Sequence, residues 1–485
     1  MAAIVVVAVV FLVANVGGDP YASERLLLVT MGVLLVVPVL SPLLRGRPLN
    51  PFEPIIVFLI AFAFFLFIRP AYILLTSDFA FIDGPYGGGR AVIFTALYYA
   101  TLGLVCFYFG YYARFGMTIA RTLSRPVQAL SPWRSFFWGG GVMALGFVLY
   151  NLFLARSHEV SGNPYQQSTA YFYLGINLVS PALVFLLYWT VKKPSIGKVA
   201  LFLALFLFTL YIYHNMGGRR WQLIYVTSTV GVAYYLFRGR LPSFQAIALG
   251  LLGTFLYIAA VGYGRFANLQ VTWHFWRSLD ISSVLQRFFD SSGDLIIFDA
   301  YTKILTGVPS MLPYQMGRSL LYIPQHFMPR QLWTGKPFPV EAIVGNSLFA
   351  GSGPVSIGSG YAYSMPGSFY VEGGLAGIVI GFVVFGFFCR MVWEYHQLHN
   401  SVTSQMLLAV TLPMILLSQR GGFNVNDIIW YLIHLAPVLI GIRFAKARVS
   451  AQQGEERNDP DRRPVDELRP LSHGARARHD PSHWD

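Results

Sequence analysis

VALFLALFLFTLYIYHNMGGRRWQLIYVTSTVGVAYYLF, residues 199–237, sets two uncharged apolar runs on either side of two adjacent arginines. The first run is Val199–Tyr213 and the second is Trp221–Phe237; Arg219 and Arg220 stand between them. A helix crosses a bilayer with roughly 20 predominantly apolar residues. Both runs approach that length, so the stretch reads as two membrane helices joined by a short arginine-bearing connection. Working outward, ten more runs read the same way: 2–16, 26–44, 51–69, 91–112, 135–154, 170–191, 244–263, 367–389, 403–418 and 427–444. The shorter ones, 2–16, 199–213 and 403–418, would be tilted, partly interfacial or extended by a flanking turn.

Bulk composition agrees. Hydrophobic residues make up 55% and charged residues 12% of the 485, with a mean hydropathy of +0.54. The charged share is about half that of a soluble domain. The aromatic share of 16% suits interfacial Trp and Tyr belts. The expectation is an all-α polytopic membrane protein with about twelve spans, over residues 1–445. The first run has no Lys or Arg before it and further spans after it, unlike a signal peptide. Cys106 and Cys389 both fall inside spans, so reduced thiols are expected. No CxxC, HExxH or GxxxxGK[ST] pattern occurs, which leaves no sign of zinc binding or ATP hydrolysis.

Short loops set the orientation, because Lys and Arg concentrate on the cytoplasmic side. Every even-numbered connection is basic: Arg45 and Arg47, then Arg114, Arg121, Arg125 and Arg134, then Lys192, Lys193 and Lys198, then Arg238 and Arg240, then Arg390, and finally Arg443, Lys446 and Arg448. Both termini are therefore expected in the cytoplasm. Arg219 and Arg220 break the pattern on the outer side. So does Arg420, in SQRGG between spans 11 and 12. One reading is that these arginines snorkel into headgroups. The other is that they bind an anion at the outer face, since a planar guanidinium can bond phosphate oxygens bidentately. The adjacent Gly217, Gly218, Gly421 and Gly422 would let a ligand approach the backbone closely.

One connection is long. Residues 264–366 form an external segment between spans 9 and 10. Trp273, Phe275 and Trp276 beside Arg277 suggest an interfacial helix. SSGDLIIFDAYTKIL, 291–305, suggests a second, capped by Ser291 or Ser292. The Gly- and Ser-rich stretch 349–368 reads either as a flap over a site or as a plain linker. The segment carries Arg330 and Lys336, which would face the same side as Arg219, Arg220 and Arg420. Such a cluster suits a lipid bearing pyrophosphate.

Three stretches resemble a known family. MPRQLWTGKP, 328–337, resembles the P-R-x-x-W-x-x-K-P type of stretch in the outer loop of Wzy-type O-antigen and oligosaccharide repeat unit polymerases. GGRR, 217–220, is similar to the Gly-Ser-Arg-Gly element that begins a helix in that family, with Arg219 at the family arginine. FYVEGGLAGIVIGFVVFGF, 369–387, is similar to the helix start after the loop. The likeness spans about 205–390. It departs where the family often has an acidic residue followed by Asn-Phe-Gly; Ser368 and Glu372-Gly373-Gly374 stand there instead.

The resemblance implies a GT-C-like glycosyltransferase of the bacterial inner membrane. It would move a growing glycan from one polyprenyl pyrophosphate onto a new lipid-linked repeat unit at the periplasmic face, with no cofactor or metal. Other implied partners are the bilayer and a polysaccharide chain-length regulator. On that reaction Arg219 and Arg420 would hold the donor pyrophosphate, with Arg220 assisting or anchoring the helix end. Arg330 and Lys336 would hold the acceptor lipid or stabilise the leaving group. His326 is the first candidate for the general base, four residues before Arg330, ahead of Asp294, Asp299 and Glu372. Two alternatives stand beside it. One is an O-antigen ligase that moves the glycan to lipid A core. The other is a flippase, which would show inverted repeats and midplane charges.

The tail, 446–485, is a different material. From Ala451 it holds six Arg and eight Asp or Glu, and it is expected to be disordered and cytoplasmic. The formal charge of +13 therefore belongs to the membrane part and gives no reason to invoke nucleic acid.

Overall fold

The computed structural model describes residues 20–44, 46, 49–124, 126–157, 172, 174–215, 220–266, 273–277, 279–291, 295–326, 328, 332–349, 362–422 and 425–447. The expected first span, 2–16, and the tail from 448 lie outside them. Among the described residues the chain is helical, and its one isolated bridge joins Leu130 and Lys446.

The long helices are α1 (Ala22–Leu44), α2 (Pro54–Thr76), α3 (Ile93–Tyr112), then a short α4 (Arg114–Thr122), α5 (Pro132–Ser157), α6 (Val179–Lys192), α7 (Ile196–Asn215), α8 (Arg220–Arg238) and α9 (Phe244–Phe266). The long connection contributes α10 (Trp273–Arg277), α11 (Ile281–Ser291), α12 (Ile297–Gly307), α13 (Arg318–His326) and α14 (Val340–Val344). Three more close the bundle: α15 (Met365–His399), α16 (Val402–Gly421) and α17 (Val425–Ala445). Ten described helices are long and apolar enough to cross a membrane. They match ten of the twelve expected runs. The eleventh is α8, a helix as expected but outside those ten.

Small residues let the backbones touch, as membrane helix interfaces require. A Cβ on Gly386 of α15 would lie 2.2 Å from the Phe107 carbonyl oxygen of α3, and one on Gly110 2.0 Å from that of Val383. Around this contact Phe58 stacks on Phe107 with centroids 3.6 Å apart, and Phe62, Phe382 and Phe385 close the cluster. Cys106 and Cys389 are unpaired, on α3 and α15.

The expected span 367–389 is not a single straight helix. At Gly373 (φ −163°) and Gly374 (φ +62°, ψ −140°) the backbone leaves the helical region. In a continuous helix Phe369 would stand about 12 Å along the axis from Gly377. Instead a Cβ on Gly377 would be 2.0 Å from the Phe369 carbonyl oxygen, and one on Gly381 2.4 Å from the Phe369 ring. The first arm, 365–372, therefore folds back on the second, 375–399. Glycine allows the positive φ at 374, and Gly377 and Gly381 make the groove that receives Phe369.

Among the described residues, the basic Arg134, Lys198, Arg390 and Lys446 gather at one end. Ser131 N–H donates to Ala445 O (2.8 Å) and Arg134 to Lys446 O (3.3 Å). Lys198 bonds Lys193 O (2.9 Å) and lies over Trp189, which packs on Phe136 of α5. Arg390 pairs with Glu394 and lies over Tyr111, whose hydroxyl bonds Glu53 at the start of α2. The helices α2, α8, α15, α16 and α17 run from or to this end. Their far ends therefore meet at the other, together with the long connection.

Candidate functional site

Arg420 ends α16 at that second end. Its half-buried guanidinium lies over the Trp221 ring, 5.1 Å from the centroid. Trp221 is the second residue of α8, so the structure brings Arg420 to the helix start that carries Arg220. The side chain of Arg220 and the whole of Arg219 lie outside the described residues.

The turn after Arg420 is tightly fixed. Ser364 N–H donates to Arg420 O (3.1 Å), and Gly422 N–H to Ser418 O (3.0 Å). Gly422 has φ +91°, and a Cβ there would come within 2.1 Å of Ser368 Oγ. A Cβ on Gly421 would lie 2.9 Å from Asp427 Oδ2, the acid in the first turn of α17. Buried Asp427 attracts Arg420 and is repelled by Glu341, whose Oε1 accepts from Val425 N–H (3.1 Å). The glycines of SQRGG thus serve the backbone's own packing at 421 and 422.

The other candidates gather around α13. Glu372 is at its start, where Oε2 accepts from Gly317 N–H (2.8 Å) and Oε1 from the Ser319 hydroxyl. The carboxylate satisfies donors at a helix N-terminus, where negative charge is stabilising. Lys336 is at the other end of α13, buried, giving its ammonium protons to His326 O and Met328 O (3.0 Å each) and lying over Tyr322. Lys336 therefore caps the C-terminal carbonyls of α13. His326 stands in the last turn. Burial, then the nearby Lys336 charge, pushes its imidazole down to about 4. It is neutral at pH 7 and a weak proton acceptor. Tyr322 packs with Val425 and Ile429 of α17, which joins this group to the Arg420 turn. Arg330 lies outside the described residues, as do Asp294 and most of the Gly- and Ser-rich stretch.

Sequence reading passed over Arg69 on α2. It meets Asp299 of α12, Nε to Oδ2 3.0 Å, with side chains 3% and 0% exposed. Burial raises the Asp299 carboxyl to about 6 against the pull of Arg69. Asp299 Oδ1 and the Tyr301 hydroxyl are buried and find no hydrogen-bond partner among the described residues. A signal existed, since an arginine inside an apolar run needs a partner. Asp299 was read as one of several competing candidate bases, with no sign of its arginine partner. The helix α12 starts at Ile297, and its N-cap residue Ile296 makes no side-chain cap bond; the expected caps, the Ser291 side chain and Ser292, lie outside the described residues. The capping acid belongs to α11 instead. There Asp280 accepts from Ser282 and Ser283, and these bonds hold it down at about 2.

Among the described residues no three His, Cys, Asp or Glu side chains gather as a metal site would. No family model, curated protein or solved structure matches this chain.

Proposed function

We propose that this chain is a membrane-embedded polymerase of the Wzy type, acting at the periplasmic face of a bacterial inner membrane. It transfers a glycan from one polyprenyl pyrophosphate to a hydroxyl at the non-reducing end of a new lipid-linked repeat unit. The anomeric carbon–oxygen bond to phosphate breaks, and a new glycosidic bond forms to the hydroxyl oxygen. Polyprenyl pyrophosphate leaves with the electron pair, and the hydroxyl proton passes to a base or to water. Energy comes from the glycosyl–pyrophosphate bond, so no nucleotide is needed.

The observation that carries this reading is Arg420, stacked on Trp221 beside Arg220, at the end of the bundle away from the basic connections. Positive charge favours the cytoplasm, which supports reading the Arg420 end and the long connection as external. Cations fixed where anionic charge develops are often the largest catalytic term, about 3 kcal/mol for one donor. Arg420 with Arg219 and Arg220 supplies such charge for the donor. Arg330 supplies it for the acceptor or leaving group. Lys336 and Glu372 hold α13 in place, and His326 on that helix, neutral but a weak acceptor at pH 7, stands as a base only if ligand binding relieves its depression. A chain-length regulator is the expected protein partner.

The test is a gel of surface and lipid-linked polysaccharide from a strain lacking this chain. Glycan stopped at one repeat unit supports a polymerase. Full-length polymer stranded on the lipid carrier indicates a ligase, and an unchanged ladder sinks both.

A further inference from the structure

We infer that Trp221 is a positioning residue: its ring face fixes the Arg420 guanidinium toward a phosphate-bearing ligand and ties that arginine to the start of α8. The anionic ligand rests on the proposed function; the positioning rests on geometry alone.

Arg420 belongs to α16 and Trp221 to α8, and their side chains meet as a cation over an aromatic face, 5.1 Å to the centroid. The Trp221 ring is itself held. Phe65, in the π-helical turn Ala63–Phe67 of α2, lies against it with centroids 5.6 Å apart. The backbone behind Arg420 is also held, by Ser364 N–H on its carbonyl and by the close packing of Gly422 on Ser368. Backbone and guanidinium are thus held by different elements, α15 for the one, and for the other the Trp221 ring of α8 together with the charge of Asp427 on α17. An indole face attracts a guanidinium more than any other side-chain ring does, and more so where water is excluded. A guanidinium stacked by its face bonds through its N–H edge, and the nearby Asp427 carboxylate draws on the same charge that an anion would.

The experiment is modification of Arg420 by phenylglyoxal in the full chain in nanodiscs, read by peptide mass spectrometry, with and without farnesyl pyrophosphate. Trp221→Leu should speed modification of Arg420 on the order of tenfold. Trp221→Phe should restore most of the wild-type rate. Arg390, paired with Glu394 at the opposite end, should react alike in all three. Equal Arg420 rates in wild type and Trp221→Leu would overturn the positioning role, as would a parallel rise at Arg390, which marks general loosening. Farnesyl pyrophosphate should protect Arg420, and farnesol should not. Loss of that protection alone would count against the anionic ligand and leave the Trp221 contact standing.

Discussion

Arg69 of α2 and Asp299 of α12 meet 3.0 Å apart with both side chains withdrawn from solvent. One comes from an apolar span and the other from the long connection, 230 residues later. Removing one partner of a buried pair strands the other's charge, at about 3–5 kcal/mol. Arg69→Ala or Asp299→Ala should therefore lower the apparent melting temperature in detergent sharply. Arg69→Met with Asp299→Leu should recover most of the loss. A double variant no better than the singles would show that the pair does more than neutralise itself.

Gly422 is a second sensitive point. Its φ of +91° strains any other residue, and a Cβ would collide with Ser368. Gly422→Ala should cost roughly 1–3 kcal/mol and reduce the folded yield measured by size-exclusion fluorescence. Ser368→Gly should relieve only the collision, since the backbone strain remains.

Glycines along the bundle should divide by what stands opposite them. Gly386→Ala forces a methyl toward the Phe107 carbonyl and should destabilise by roughly 1–3 kcal/mol. Gly141→Ala, with nothing within 4 Å, should be neutral or gain up to about 1 kcal/mol of helix propensity. Melting temperatures of the two variants decide this.

His326 predicts a pH dependence. Its folded pKa, about 4, lies below the unfolded value. The unfolded chain therefore binds the extra proton, and stability falls as pH drops from roughly 6.5 to 4. His326→Gln should flatten that part of the stability curve. Lys336→Met should narrow that window from its low-pH side and weaken the fall, because the ammonium is one of the two causes of the depression. An unchanged slope in both variants would mean that other groups dominate acid unfolding.

The arginines test the proposed reaction. Arg219→Ala and Arg420→Ala should each reduce polymer formation at least a hundredfold while the protein still inserts. Wild-type polymer from either variant, at equal membrane abundance, would remove that residue from the site.

Much of the bundle was legible because crossing a membrane imposes one simple rule of length and apolarity. Eleven of the twelve runs are helices where expected; the other lies outside the described residues. Part of the charge alternation was legible too: among the described residues Arg134, Lys198, Arg390 and Lys446 share one end. The site was less so. The contact between Arg420 and Trp221 joins residues 199 positions apart, and no local pattern encodes it. Lys336 was read as a ligand-binding cation and Glu372 as a candidate base; their contacts at the two ends of α13 could not be read from any local pattern. Arg69 was concealed by its own surroundings, since one charge barely lowers the apolarity of a long run. The break in α15 was written in Gly373-Gly374, but an apolar run reads alike whether straight or folded.

That break has a further consequence. Carbonyls freed where a helix stops need partners, and the carbonyls of Val371 and Glu372 find theirs in the N–H groups of Gln315 and Met316 (2.9 and 2.8 Å). Fifty-odd residues of chain thus separate two halves of a single joint. Grafting the long connection from another protein onto this bundle would leave those carbonyls bare unless residues 315–319 came with it. The connection is not a detachable ornament on a finished membrane core. It completes that core, and the two segments should be exchanged, lost or inherited together.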